Sequence, residues 1–542
     1  MDKKSTEIPN DPLYVTDIGI AIAGSVDSGK STFVGVLTSG KLDNGDGSAR
    51  KCIARYLHEI ESGKTSAIAS KYIPVENNRA ITMIDLCGHE KYFKTTAYGI
   101  AGYYPDYAFL IVSANRGIVP MTKQHITLLV SMNIPIVIIV SRYDITPEAT
   151  YQTTLKMIDK YCRDIIKTQI EIINNPYQPS DDKNIQLDKI KSSLNITHNQ
   201  RQLFIPVITI SNKNGYYIDF VKNILNVLEP RDLWTNFDTD TTKSIVERCT
   251  NRVIKSFLSK FDFKLFPEPP VNNFHVFFID SIYNPPGIGN VIAGINRHGT
   301  INVGDIMYIG PFGKEFKEVR IKSMRNYAKQ KILTANNHER ITIAIASNDK
   351  DIIRSAIRIR KGMILIKSKD LIKTHMCYRF NAIVTIFNHS ATLKTNYSPI
   401  TQIGNIRQTT RMYLDPALNN SKDCIKSKDY AYVTFKFKQR PEFVEPYQVF
   451  FFMSGNVHGL GVVLDTLPLH ADTDAKPDPT RTRYFINVKT TNPNVIPSLQ
   501  QLPTRGSDWY AQRNGNLTAS DASDWYAQRN GNLTNLTASD AH

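Results

Sequence analysis

An apolar run at residues 18–23 leads into Gly24-Ser25-Val26-Asp27-Ser28-Gly29-Lys30-Ser31, and a helical pattern follows at residues 31–38. Few folds accommodate that junction. Glycines bracketing four residues, followed by Lys and Ser, let the backbone between a strand and a helix curl until its N–H groups face one point. The helix adds the positive end of its dipole there. Gly24 and Gly29 supply the backbone freedom, Asp27 and Ser28 complete the loop, Lys30 brings a charge and Ser31 a hydroxyl. A polyphosphate chain suits this cradle, with Lys30 on the β/γ oxygens and Ser31 on Mg²⁺.

The surrounding chain has the matching rhythm. Further strands are predicted at 81–86, 108–112, 135–140 and 205–210, with helices at 122–133 and 218–228. Alternation of this kind builds a parallel βαβ sheet. Residues 1–235 are therefore expected to form an α/β domain, its mixed, mostly parallel sheet covered by helices on both faces. The pattern changes after Pro230, and 236–267 reads as a linker or insert, with Pro267-Glu268-Pro269-Pro270 at its end. From there to about residue 465 short β-rich segments, among them 290–294, 305–309 and 432–437, alternate with Gly, Asn and Asp turns. Two antiparallel β-barrels, 268–371 and 372–470, explain that texture. Residues 471–542 form a C-terminal extension in which the stretch from Ser507 to Ala522 recurs from Ser523, interrupted by Asn535-Leu536-Thr537. Two copies are too few for a solenoid, so a disordered tail is expected.

A second chemical element, Asp85-Leu86-Cys87-Gly88-His89-Glu90, lies at the C-terminal end of the 81–86 strand, where open α/β sheets bind ligands. Asp85 is placed to hold Mg²⁺ through water, the Gly88 N–H to donate to a γ-phosphate oxygen, and His89 to orient an attacking water. A polar stretch, Glu59 to Ser66, precedes it and contains Thr65, a candidate second hydroxyl for Mg²⁺.

Charge and composition narrow the setting. The formal net charge is +16. Between Pro311 and Lys373 there are 16 Lys and Arg against 6 Asp and Glu, so +10 of it falls in one region. That surface suits a polyanion, although a solvated face has the same composition. No apolar run reaches the ~18 to 20 residues of a membrane-spanning helix. The polar start, Met1-Asp2-Lys3-Lys4, argues against a signal or transit peptide. The six cysteines lie far apart without a CxxC pair, which indicates neither a zinc site nor a disulfide framework. A soluble intracellular protein is expected.

Taken together, GSVDSGKST at 24–32, LDNGDGSAR at 42–50, HEIESGKTS at 58–66, IDLCGHEKYFKTT at 84–96 and GIVPMTKQH at 117–125 resemble the GTP-binding protein 1 and 2 branch of the elongation factor 1-alpha/Tu superfamily. The resemblance continues at 286–294 and 357–363, which look like the opening and end of that family's second domain, and at 404–409, which looks like part of the third. It implies GTP/GDP and Mg²⁺ as ligands. By resemblance Asp27, Lys30, Ser31 and Thr32 match phosphate-loop positions, Thr65 the switch-one threonine, and Asp85 and Gly88 the switch-two pair. His89 matches the histidine that positions water, making His89, Lys30 and Thr65 the implied catalytic set. Ser211-Asn212-Lys213 matches the late guanine-contacting loop. One departure stands out: where the family carries Asn or Thr, then Lys, x and Asp, this chain has Ser141-Arg142-Tyr143-Asp144. Asp144 remains to accept from guanine, and Arg142 replaces a lysine stem with a planar guanidinium of different geometry.

The function so implied is a GTP-hydrolysing switch acting on the ribosome, tRNA or other RNA, as a cytoplasmic monomer without membrane contact and with a protein activator or exchange factor. No intrinsic arginine finger is identifiable, so basal turnover is expected to be slow. Two alternatives stay open: a GTP-dependent RNA- or protein-binding module with vestigial hydrolysis, and a release or rescue-type GTPase. Richness in Ile, Asn, Lys and Tyr fits an AT-rich genome, such as that of a protist or a giant virus; a viral copy would act in the host cytoplasm.

Overall fold

The computed structural model describes residues 14–53, 65, 67–177, 183–196, 200–231, 237, 244–260, 275–347, 358–387, 392–414, 419, 424–455 and 457–469. The duplicated tail, residues 59–64, Ser66 and Pro267 to Pro270 lie outside them. All the described residues belong to one compact unit.

Seven strands form the first sheet: β1 (Val15–Gly24), β2 (Ala69–Val75), β3 (Arg79–Asp85), β4 (Tyr107–Ser113), β5 (Ile136–Ser141), β6 (Gln169–Ile172) and β7 (Phe204–Thr209). Their order is β2-β3-β1-β4-β5-β7-β6. Every pairing is parallel except β2 with β3. The central strands read as unbroken apolar runs because both faces are covered, and β4 and β5 are buried at every position. Alternate residues of β1 divide between two cores: Ala21 and Ala23 on one face, Ile20 and Ile22 on the other. Helices α1 (Lys30–Ser39), α2 (Phe93–Tyr103), α3 (Pro120–Ser131), α4 (Glu148–Tyr161), α5 (Lys183–Leu194) and α6 (Ile218–Val227) complete this part. Because β1, β3, β4, β5 and β7 run parallel, the segments that follow them all emerge at one edge, which collects the candidate residues.

Two closed six-stranded antiparallel barrels follow. In the first, the ring runs Val276–Tyr283, Val291–His298, Arg340–Ala346, Glu315–Arg325, Ile306–Phe312, Ile364–Ile366 and back. In the second it runs Met376–Phe387, Val457–Pro468, Val449–Ser454, Ile400–Ile403, Ile406–Leu414, Tyr430–Phe437 and back. Strand Tyr430–Phe437 alternates strictly between half-buried and buried positions, which sends Val433, Phe435 and Phe437 into the barrel.

The three parts meet over specific side chains. Arg297 of the first barrel pairs with Glu445 of the second at 2.9 Å, their side chains 4% and 6% exposed. The same guanidinium lies over the Tyr104 ring, and the Tyr104 hydroxyl is bonded by Gln448 at 2.6 Å. Arg340 of the first barrel donates to the Tyr103 carbonyl. The stretch expected as a linker carries two short helices, Ile245–Arg248 and Arg252–Leu258, started by the Ser244 and Asn251 caps. Phe237 packs edge-on to Tyr447 and Phe257 to Tyr430, so this segment covers the second barrel.

Candidate functional site

Three of the loop's residues have positive φ: Gly24 at 141, Asp27 at 58 and Gly29 at 88. A side chain at Gly24 would run into the Ile111 carbonyl of β4. Inside the turn, the Ser25 carbonyl accepts from Lys30 Nζ at 2.7 Å and from Ser28 Oγ at 2.9 Å. Lys30 is only 6% exposed, and burial lowers its pKa against the opposing pull of Asp85, Cys87 and Asp27. Thr32 follows in the first turn of α1. From outside, Arg116 Nη1 donates to the Val26 carbonyl at 3.2 Å.

The segment after β3 closes on this loop. A Cβ at Gly88 would overlap Lys30 Nζ and come within 2.8 Å of the Ser25 carbonyl carbon, so only glycine lets the two backbones approach this far. Ser31 Oγ donates to Asp85 Oδ2 at 2.6 Å and lies 3.0 Å from Thr65 Oγ1. The three residues expected to face Mg²⁺ are thus brought together. One carboxylate and two hydroxyls are the hard oxygen donors that Mg²⁺ takes alongside phosphate oxygens and waters. Among the described residues no cluster of three or more His, Cys, Asp or Glu offers a different kind of metal site. His89 is half-buried and caps the turn Glu90–Tyr92, its Nδ1 accepting from the Lys91 N–H at 3.1 Å. Its ring is held against its own turn and makes no bond to the phosphate loop.

On the far side of Gly29 two further loops meet. Ser141, at the end of β5, donates its buried hydroxyl to the Ser28 carbonyl at 2.7 Å. Arg142 follows at φ 62 and Asp144 stands exposed in the turn Tyr143–Ile145. Ser211 is buried, and its Oγ accepts from the N–H groups of Lys213 and Asn214, both at 3.2 Å. Asn214 bonds the Tyr143 hydroxyl at 3.3 Å, and Tyr143 packs on Tyr216 with ring centroids 4.9 Å apart. The loops carrying Asp144 and Ser211 to Lys213 are therefore clasped together. Asn212 Nδ2 lies 3.7 Å from where a Gly29 Cβ would stand.

Two residues in this constellation had no role in the sequence reading. Ser141 looked like a departure and is a tie to the phosphate loop. His125 of α3 accepts the Gly24 N–H on Nδ1 at 3.0 Å. It is wholly buried, and burial, then the Lys30 charge, pushes its pKa down to about 3, so the imidazole is neutral and free to accept. Its ring lies parallel to Phe93, which packs on His458 of the second barrel at 4.8 Å. Nothing local marks either residue, since their partners lie about a hundred positions away.

The family model for the elongation factor Tu GTP binding domain matches residues 17–257. Over 477 residues the chain is 30% identical to GTP-binding protein 1 of Xenopus laevis, covering 83% of this chain and 64% of that protein. It therefore spans less than two thirds of that relative. Over 498 residues it is 28% identical to human GTP-binding protein 2, covering 87% and 73%. The crystal structure of translation elongation factor SelB from Methanococcus maripaludis, in complex with the GTP analogue GppNHp, superposes with a TM-score of 0.55 at 17% identity, covering 84% of this chain and 81% of that one, a likeness of fold. With a glycine cradle at the sheet edge and two barrels behind it, residues 17–257 match the elongation factor Tu GTP binding domain, and the chain is similar to GTP-binding proteins 1 and 2.

Proposed function

We propose that this chain binds GTP with Mg²⁺ and hydrolyses it as a translation-factor-like switch on the ribosome, tRNA or another RNA. The observation that carries the reading is the convergence of Ser31, Thr65 and Asp85 beside Lys30 and Gly88. The loop N–H groups donate to the α- and β-phosphates, and Lys30 leaves the Ser25 carbonyl for the β/γ oxygens. Ser31, Thr65 and Asp85 hold Mg²⁺, which neutralises charge on those oxygens when bound. Asp144 accepts from guanine N1–H and its amino group, Arg142 stacks on the base, and the loop from Ser211 to Lys213 closes the other edge. Gly88 donates to a γ-phosphate oxygen, and His89 turns away from Lys91 to place the water that attacks in line.

Output follows from the chain's own connections. Gly88 leads through the turn Glu90–Tyr92 into α2, whose Lys94 carbonyl is bonded by Gln402 of the second barrel at 2.9 Å and whose Phe93 packs on His458. Loss of the γ-phosphate releases that segment and, through α2, the barrel. The basic first barrel, with Arg320, Lys322, Arg325, Lys329 and Lys331 exposed, supports an RNA partner. The working bodies in this reading are 1–235, 268–371 and 372–470, in a cytoplasmic monomer that a ribosome or protein partner activates. Replacing His89 by Ala should lower partner-stimulated hydrolysis at least tenfold, on the order expected for losing a positioned base, with GTP affinity nearly intact. Single-turnover hydrolysis with and without ribosomes tests this, and an unchanged stimulated rate removes His89 from the mechanism.

A further inference from the structure

The segment Asp43-Asn44-Gly45-Asp46-Gly47-Ser48-Ala49-Arg50 takes no part in the phosphate or metal roles above, yet it is highly organised. Asp43 is 8% exposed, and its carboxylate accepts from the N–H groups of Gly45 (3.0 Å), Gly47 (3.2 Å) and Ala49 (3.0 Å) and from Ser48 Oγ (3.4 Å). The turn it holds needs φ 99 at residue 45 and 73 at residue 47, which glycine alone adopts without strain. Four donors satisfy the carboxylate inside the loop, so it serves as the loop's organising centre.

Both flanks of the loop touch nucleotide-binding elements. On one side the Ala49 carbonyl meets Gly35 of α1 so closely that no side chain fits there, and α1 is the helix that begins with Lys30 and Ser31. On the other, the Asp43 N–H donates to the Asn212 carbonyl at 2.9 Å, Leu42 packs on Gly215, and Gly45 lies against the Lys213 stem. The loop is a wedge of fixed shape between the phosphate helix and residues 211–215.

We propose that Asp43 is a positioning residue for base recognition: through this wedge it sets where residues 211–213 stand relative to the phosphate site. The inference rests on the guanine reading above. A base-contacting N–H is useful only within a few tenths of an ångström of its acceptor, so loosening the wedge weakens contacts to the base and leaves those to the phosphates intact.

The test measures GDP and ADP affinity of the full chain by displacement of a fluorescent guanine nucleotide, for wild type, Asp43→Ala and Asp43→Asn. Asp43→Ala is expected to weaken GDP about tenfold, the scale of one charge-assisted hydrogen bond, and to leave ADP unchanged. Asp43→Asn keeps one acceptor oxygen and should fall between. A GDP/ADP ratio equal to wild type in both variants, or equal losses for both nucleotides, overturns the proposal. If Asp43→Ala does not fold, Asp43→Asn alone decides by the same ratio. A wild-type protein without preference for GDP over ADP removes the guanine reading itself, an outcome visible before any variant is made.

Discussion

Replacing Ser141 by Ala removes one oxygen from a dry site and should loosen the phosphate loop. The Ser141 hydroxyl is buried and donates to the Ser28 carbonyl at 2.7 Å, with Val112 O more distant at 3.5 Å. An intramolecular hydrogen bond contributes about 1 kcal/mol net, rising towards 3 when a buried partner is left unsatisfied. Part of that loss falls on the nucleotide-free protein, because the bond exists there too. The share that reaches binding is the order the bond lends to the loop around the α- and β-phosphates, about 1 to 1.4 kcal/mol, or a fivefold to tenfold rise in Kd. GDP and GTP should weaken alike, since Ser28 lies before the γ-phosphate contacts, and most of the change should appear as faster dissociation. Stopped-flow release of a fluorescent nucleotide measures it directly. Ser141→Thr keeps the hydroxyl and should stay near wild type. Release from Ser141→Ala no faster than about twofold above wild type, or Ser141→Thr as weak as Ser141→Ala, would show that this bond does not hold the loop.

Gly88→Ala places a methyl group on Lys30 Nζ, so it should abolish the GTP-specific arrangement while GDP binding falls less; trypsin sensitivity of α2 with each nucleotide reads the difference. Glu445→Ala leaves Arg297 buried without its ionic partner, and the expected loss is about 3 kcal/mol or more in urea unfolding; a loss under about 1 kcal/mol would mean that the barrels part cheaply at this junction. The pH profile carries opposed signals, of which His125 and Asp106 give one of each sign. His125 has a folded pKa of about 3 against an ordinary 6.5, so its contribution is complete above 6.5 and is lost as pH falls from there towards 3. Asp106 is pushed by burial up to about 7 from 3.8, so its contribution is present at acid pH and is lost as pH rises between those values. In His125→Gln the first signal is removed, while Asp106 and the other buried groups, His375 among them, titrate as in wild type and cancel in the comparison. The stability difference between wild type and this variant should therefore shrink by about 1.4 kcal/mol per unit as pH drops below 6.5, and a difference constant from pH 7 to 5 contradicts a buried neutral imidazole at this position.

The elements legible in advance were those whose reasons are local. Glycine spacing, the run Ile136–Ser141 and the alternation of Tyr430–Phe437 each follow from backbone freedom or from period-two burial within a few residues. Strand β2 was not among the expected strands; it holds Pro74, which the structure tolerates on the sheet's edge, where β3 is its one neighbour among the described residues. Helix α2, with Gly99 and Gly102, has weak intrinsic propensity and forms where packing needs it. A side chain at 99 would strike Leu86 and Ile68, and one at 102 would press on the Gly404 carbonyl of the second barrel. The linker's two helices likewise depend on the barrel surface beneath Phe237 and Phe257.

For the site the division is similar. Sequence alone determined the cradle from Gly24 to Ser31, because the motif is contiguous and its chemistry is carried by neighbours. Only the tertiary structure decided that Ser141 fastens the Ser28 carbonyl, that His125 receives the Gly24 N–H, and that Asp43 holds the wedge against Asn212. Each of those bonds joins residues 101 to 169 positions apart. Hydrogen bonds over such separations leave no periodicity in the chain. They arise when parallel strands bring their ends to one edge, and a single hydroxyl or imidazole there acquires a partner that its own neighbourhood in sequence does not announce.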